Sequence, residues 1–342
     1  MVMPFFYMCM NPQFTRACML FKLWISGKQK IFFVSKGKEK VEEIDMNILI
    51  ATDDNYVKYY RVALTSLCEN NQRVGIHIYV FYSHGLSASG MDDLKEMEKN
   101  YSIQFHFVYA DCFQDIKMER WSIETYYRIL ALELPEAVDR ILWLDGDVIV
   151  NKSIEDFYNS DFGDAYFIAC EDKGFSGGLN AGEYERLGFS GDQVYVNAGV
   201  LLMNLEGLRK NYTTKQFIDY IYTNLDKMKY NDQSFLNKFF QGKIKIEDEF
   251  KYNCLVNAHY YKEEQDILEQ ACILHFAGGG QRPWNYEFRK HYASGVNGEI
   301  WWRYARKCGW EKEYRKWKVQ NWIRVRPWQI AYDIYRLVIK KR

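Results

Sequence analysis

The chain has 342 residues, 48% of them apolar and 17% aromatic, with 45 Lys and Arg against 45 Asp and Glu. That content excludes a disordered polymer and suffices for one large α/β domain with appendages, or for two domains. The neutral balance hides a division, because the segment from Glu287 onward holds 15 Lys and Arg against 5 Asp and Glu, leaving 30 against 40 before it. An acidic body argues against nucleic acid as a partner, whereas a basic tail can meet an anionic surface.

The first 45 residues are interrupted by Arg16, Lys22, Lys28 and Lys30, so no stretch reaches the roughly 20 apolar residues of a membrane span. The apolar stretch around Ala17–Phe21 is broken by Lys22, which makes a poor signal peptide. Residues 1–45 read as an extension without periodicity and outside the fold. The functional start is expected at Met46, with a membrane-adhesive leader as the weaker alternative.

From Asn47 the pattern alternates. Strands are predicted at Asn47–Ala51, Ile76–Tyr82, Gln104–Tyr109 and Arg140–Leu144, and helical segments at Tyr59–Cys68, Ala88–Lys99 and Glu124–Leu132. Such alternation implies a parallel sheet with right-handed crossovers, in which ligands bind beyond the carboxyl ends of the strands. Asp53, Asp54 and Asn55 leave the first strand, Asp145 and Asp147 leave the fourth, and both groups are expected to face one crevice. Further on, Ala165–Cys170 and Tyr195–Met203 read as strands, Thr213–Thr223 and Asp232–Phe240 as helices. Ile273–Phe276 is a strand-like run opening into Gly278-Gly279-Gly280. The eight cysteines (9, 18, 68, 112, 170, 254, 272 and 308) form no CxxC and read as reduced thiols packed as small hydrophobes in a cytoplasmic protein.

Asp145-Gly146-Asp147 closes the apolar run Ile141–Leu144. Two carboxylates one residue apart leave a strand on one face, and their repulsion calls for a bridging cation. A calcium loop fails because Val148, Ile149 and Val150 offer no oxygen ligands. An aspartyl-phosphate phosphatase, with Asp145 as nucleophile, lacks a convincing later Lys and acidic pair. An ordinary Asp-Gly turn and a divalent cation shared with a ligand's phosphates remain. His275 alone is an unremarkable core histidine, but it precedes a glycine run and Arg282-Pro283-Trp284, which suits an anion. An imidazole beside two carboxylates suits Mn2+ better than Mg2+.

The ordered set Ile48–Tyr56, Thr125–Arg128, Leu144–Asp147, Asn197–Asn204, Asn231–Gln233 and His275–Trp284 resembles glycosyltransferase family 8, over roughly Met46–Trp284. It is similar to the bacterial lipopolysaccharide galactosyl- and glucosyltransferases and, more distantly, to glycogenin. The resemblance implies a GT-A fold, Rossmann-like with a mostly parallel sheet flanked by helices, over residues 46–285. It also implies retaining transfer of galactose or glucose from a UDP-sugar to a glycan acceptor, lipopolysaccharide or another surface glycolipid. Asp145, Asp147 and His275 fall on the family's manganese ligands. Ala51, Thr52, Asp53, Asn55 and Tyr56 fall on the nucleoside site, and Gly146 lies within the donor contacts. Arg128, Asp172, Asn197 and Ala198 fall on donor-sugar contacts, Gly278 and Arg282 on diphosphate contacts, and Asp232 and Gln233 on the pair flanking the anomeric carbon. Read singly, Asp53, Asn55 and Asp172 are turn or cap residues, and Asn197 and Ala198 are strand packing.

Two departures stand out. Arg282 sits where the family commonly has Lys, which keeps the charge but replaces a point with a fork. The loop from His275 to Pro283 is one residue longer than the usual spacing. With Gln233 a feeble nucleophile, front-face attack is favoured over a covalent intermediate, and Asp232 orients the sugar or carries charge. A sugar-nucleotide-binding protein without turnover is the other alternative. The tail, 286–342, holds six of the ten tryptophans, and Trp328, Ala331, Tyr332, Tyr335, Val338 and Ile339 share one helical face beside Arg336 and Lys340. It is expected either to lie on the inner face of the cytoplasmic membrane or to cover the catalytic domain.

Overall fold

The computed structural model describes residues 19–25, 28–34, 46–110, 112–113, 116, 123–173, 181–189, 193–256, 264–278, 282–284, 298–324, 327, 330–331 and 334. Cys9, Cys18, Gly279 and Gly280 lie outside them, as does most of the helical face expected after Trp328. The chain divides into two units, Met1–Glu43 and Ile44–Arg342. In the first, β1 (Met19–Ile25) and β2 (Lys28–Val34) pair antiparallel, with Ile25 opposite Lys28. The sequence suggested an extension without periodicity. Leu20 and Phe21 facing Phe33 and Phe32, with Met19 opposite Val34, instead supply apolar and aromatic cross-strand pairs that suit a pleated ribbon.

The second unit is built on a seven-stranded sheet. In chain order its strands are β3 (Met46–Ala51), β4 (Ile76–Tyr82), β5 (Ile103–Tyr109), β6 (Arg140–Leu144), β8 (Phe167–Glu171), β9 (Val196–Asn204) and β10 (Ile244–Glu247). In space they run β10-β8-β9-β6-β3-β4-β5. The sheet is mostly parallel, but β9 runs antiparallel to both β6 and β8. Burial on both faces makes the Val200–Met203 part of β9 a continuous apolar run, and such a run carries no sign of its direction. β3 shows the layering: Ile48 and Ile50 pack on the side of helix Asp54–Asn70, against Tyr60, Leu64 and Leu67. Leu49 and Ala51 point to the other side, among Tyr126, Tyr127 and Trp143. The segment expected as a helix at Glu124–Leu132 winds more tightly, as a 3-10 helix over Ile123–Glu133.

A second, three-stranded sheet of β7 (Val148–Val150), β11 (Cys254–Leu255) and β12 (Ile273–His275) sits just beyond Asp147. Part of the tail belongs to this region. Helix Glu299–Lys307 presents Trp301 and Trp302, and helix Glu311–Arg324 presents Trp317, into a core shared with Ile149, Leu274 and Phe276. Tyr59 stacks on Trp284 at 4.1 Å and Trp284 meets Trp301 at 4.9 Å. The opposite side of helix Glu311–Arg324 exposes Val319, Trp322 and Ile323, Trp322 by 73%. No described helix is long and apolar enough to cross a membrane. Four cysteines, Cys68, Cys170, Cys254 and Cys272, are buried thiols.

Candidate metal centre and donor site

β6 ends at Leu144, and the next residues carry the carboxylates. The Asp145 N–H donates to the Gly199 carbonyl at 2.9 Å, which ties the turn to β9. Trp143 donates its indole N–H to Asp145 Oδ1 at 2.7 Å. The chain then enters β7, and β12 pairs antiparallel to it with His275 opposite Val148. Phe276 N–H donates to the Asp147 carbonyl at 2.9 Å. That register brings a buried imidazole beside the carboxylates: His275 Nε2 lies 3.2 Å from Asp147 Oδ1 and 3.9 Å from Asp145 Oδ2. Among the described residues, Asp145, Asp147 and His275 form the one group that could hold a metal, with one ligand atom from each within 4.8 Å of the others.

Two carboxylates and an imidazole on a small, closed arc fit a divalent ion that accepts both oxygen and nitrogen. Gly199 supplies the room. A Cβ built there would lie 2.3 Å from His275 Cε1 and 2.8 Å from Asp145 Oδ2, so any side chain would fill the centre. Gly146 is flat against the buried ring of Tyr60, where a Cβ would meet it at 3.2 Å.

Charges surround this cluster. Burial pushes the Asp147 carboxyl up, but hydrogen bonding and charge from His275 and Arg282 outweigh it and hold it at about 2. Burial pushes His275 down, and the carboxylates of Asp147, Asp145 and Asp172 reverse that to a net rise. Arg282 donates from Nε to Asp147 Oδ2 at 2.9 Å and from Nη1 to the Tyr56 hydroxyl at 2.6 Å. On the other flank Arg128 lies 4.0 Å above the Trp143 ring, 2.9 Å from Asp232 Oδ2 and 3.7 Å from Asp145 Oδ1. It also donates to the Ala198 carbonyl. Burial raises Asp232 to about 6, with Arg128 opposing the rise and Asp145 adding to it.

The remaining expected residues fall into two sets. Asp172, Asn197, Ala198 and Gln233 come together: Asp172 Oδ2 accepts from Asn197 Nδ2 and Gln233 Nε2, each at 3.1 Å. Gln233 Oε1 accepts from Ala198 N–H at 3.1 Å. At the end of β3 the picture is more local. Asp53 caps helix Asp54–Asn70 by accepting from Tyr56 N–H at 3.0 Å, and Asn55 Nδ2 donates to its second oxygen. Thr52 is buried with its hydroxyl on the Asp53 carbonyl, and Ala51 is buried beside it. Tyr56 alone of this group reaches the metal cluster, through Arg282. Gly278 holds a left-handed φ of +92°, which only glycine adopts easily.

Sequence reasoning missed Gly199, Trp143, Tyr60 and Asn253. Asn253 lies directly behind the imidazole, its Oδ1 2.8 Å from His275 Nδ1. A single Asn in Lys251-Tyr252-Asn253-Cys254 carries no pattern that could have flagged it.

Comparison with solved structures places the architecture. A crystal structure of a galactosyltransferase, LgtC, in complex with donor and acceptor sugar analogues superposes with a TM-score of 0.65 at 24% identity, covering 78% of this chain and all of that one. The sheet, with the carboxylate pair at the end of β6, thus has GT-A architecture. Glycosyl transferase family 8 matches residues 47–287, and the chain belongs to that family. A lipopolysaccharide 1,2-glucosyltransferase of Escherichia coli is 24% identical over 79% of this chain and 84% of its own length. General stress protein A of Bacillus subtilis is 25% identical over 72% of this chain and 90% of its own.

Proposed function

We propose that the chain transfers a hexose, galactose or glucose, from its UDP-sugar to a glycan acceptor with retention at the anomeric carbon, and that Asp145, Asp147 and His275 hold Mn2+. The observation that carries this reading is the convergence of those three side chains beside the linked set Asp172, Asn197 and Gln233. A bound divalent ion supplies positive charge to the departing diphosphate. Arg282 adds a fixed charge on the same side, and Tyr56 closes the nucleoside end. Asp172 and Gln233 hold the sugar. Gln233 already accepts from Ala198 N–H, and an amide oxygen is a weak nucleophile, which favours front-face attack. Asp232, neutralised by Arg128, orients the sugar. The relatives named for glucosyl and galactosyl transfer support a surface glycan or lipopolysaccharide acceptor. Catalysis is assigned to residues 46–285, with 1–45 outside that fold and 286–342 as the tail.

A panel of UDP-sugars with Mn2+, scored for UDP release without acceptor, tests this. UDP-galactose or UDP-glucose should turn over slowly and lose that turnover with EDTA, and NMR should show the released hexose appearing first as the α anomer, the donor's configuration. Phosphate release from a simple monoester, with no UDP released from any donor, would favour the phosphatase with Asp145 as nucleophile. Tight binding of UDP and Mn2+ without turnover would favour a binding protein.

The outward side of helix Glu311–Arg324 supports a place on the inner face of the cytoplasmic membrane. Val319, Trp322 and Ile323 lie at the i, i+3, i+4 spacing of one face, exposed by 58%, 73% and 59%, with Lys312, Arg315 and Lys316 at the same angles. The protein should float with vesicles containing phosphatidylglycerol and stay behind with pure phosphatidylcholine.

A further inference from the structure

We infer that Asn253 is a positioning residue that fixes the tautomer of His275 and ties the metal ligand to the donor-sugar residues through a one-directional chain of amides. The inference rests on the metal reading of the site. The chain of amides from His275 to Asp172 is buried. His275 Nδ1 lies 2.8 Å from Asn253 Oδ1, Asn253 Nδ2 lies 2.9 Å from Asn197 Oδ1, and Asn197 Nδ2 lies 3.1 Å from Asp172 Oδ2. Asn253 is fully buried and His275 is 2% exposed, so no bulk water competes for these groups.

The direction follows from what each end can do. A carboxylate only accepts, so Asn197 must turn its NH2 toward Asp172. A second constraint acts on the same amide independently: Gly199 N–H donates to Asn197 Oδ1 at 2.9 Å. Reversing Asn197 would set its carbonyl oxygen against the Asp172 carboxylate and its NH2 against an N–H donor. With its orientation locked, Asn197 presents an acceptor to Asn253, which must answer with NH2 and therefore turns its own oxygen to His275. The imidazole then carries its proton on Nδ1 and faces Asp145 and Asp147 with the lone pair of Nε2, the form a metal ligand needs. The same Asp172 oxygen accepts from Gln233, so one carboxylate orients both the ligand behind the metal and the amide beside the sugar.

The test is titration of Mn2+ into the full chain without nucleotide, with free Mn2+ read by EPR and folding followed by thermal unfolding. Asn253→Leu, uncharged and of similar size, should fold and bind Mn2+ at least about tenfold more weakly, within the range typical of a lost outer-sphere partner. Asn253→Asp keeps an acceptor against Nδ1 but loses the donor to Asn197 Oδ1, and should weaken Mn2+ binding less than Asn253→Leu does. If Asn253→Leu does not fold, Asn253→Ser, too short to reach the ring, carries the same expectation. A folded Leu or Ser variant binding Mn2+ within about twofold of native overturns the inference, as does equal weakening in the Asp variant. Failure of the native chain to bind Mn2+ shows at the first titration and overturns the metal reading itself, and this inference with it.

Discussion

Gly199 shows how much of the centre depends on what is absent. Its missing side chain leaves the space between His275 and Asp145, so Gly199→Ala forces a methyl to 2.3 Å from the imidazole. Overpacking of this kind costs about 1–3 kcal/mol in stability, and here the strain falls on a residue proposed to hold the metal. Calorimetric titration should show Mn2+ affinity lowered about tenfold or more in a protein that still unfolds cooperatively, in line with disturbed ligand geometry. Unchanged affinity would show that the ion does not sit beside Gly199. The carboxylate pair and the glycine-flanked histidine were legible because their chemistry is clustered in the sequence. Gly199 and Asn253 were not, because the demand on each comes from a side chain far away in the chain. Asp53 was legible twice over, as a cap and as a family position, and the structure shows the cap.

At the level of elements, β3, β4, β5 and β6 could be read from their apolar runs, and the orientation of β9 could not. β7 and β11, three and two residues long, are defined by their partners and offer too few positions for periodicity. One pair of strands carries a testable load. His77 on β4 and His106 on β5 sit 2.9 Å apart, Nδ1 to Nε2, with His106 stacked on Tyr79. Burial, with the neighbouring His77, lowers His106 to about 4. The unfolded chain, with an ordinary histidine near 6.5, therefore binds more protons than the folded one between pH 4 and pH 6.5. Stability tied to this group is full above that window and is lost as pH falls through it, by about 1–3 kcal/mol given its partial exposure. His106→Phe keeps the stack and removes the titration. Urea midpoints at pH 7.5 and pH 5 should converge in that variant relative to the native chain, and parallel losses in both would assign the acid sensitivity elsewhere.

Across the whole molecule, the basic aromatic tail divides by face. Trp301 and Trp317, 0% and 3% exposed, are core residues, whereas Trp322 points outward. A tryptophan-rich sequence fits an interface and an interior equally well, so composition alone did not separate the two. Ending the chain after Gly309 removes Trp317 and strips the cover from Trp302, and truncating one large buried aromatic already costs about 3–5 kcal/mol. That protein should aggregate or unfold below 37 °C. Ending it after Arg324 should leave thermal unfolding nearly unchanged, so any loss of vesicle binding there belongs to the residues beyond. The pairing of β7 with β12 has a further consequence, for the order of events during synthesis. Asp147 and its partner Arg282 are separated by 135 positions, and His275 lies in the same late stretch. Closing so long a loop is an entropic cost met only by the finished packing of the second sheet. A ribosome-bound chain halted before β12 emerges should hold its carboxylates without the imidazole. The proposed metal site would then be complete only in the last fifth of translation, reporting complete folding rather than guiding it.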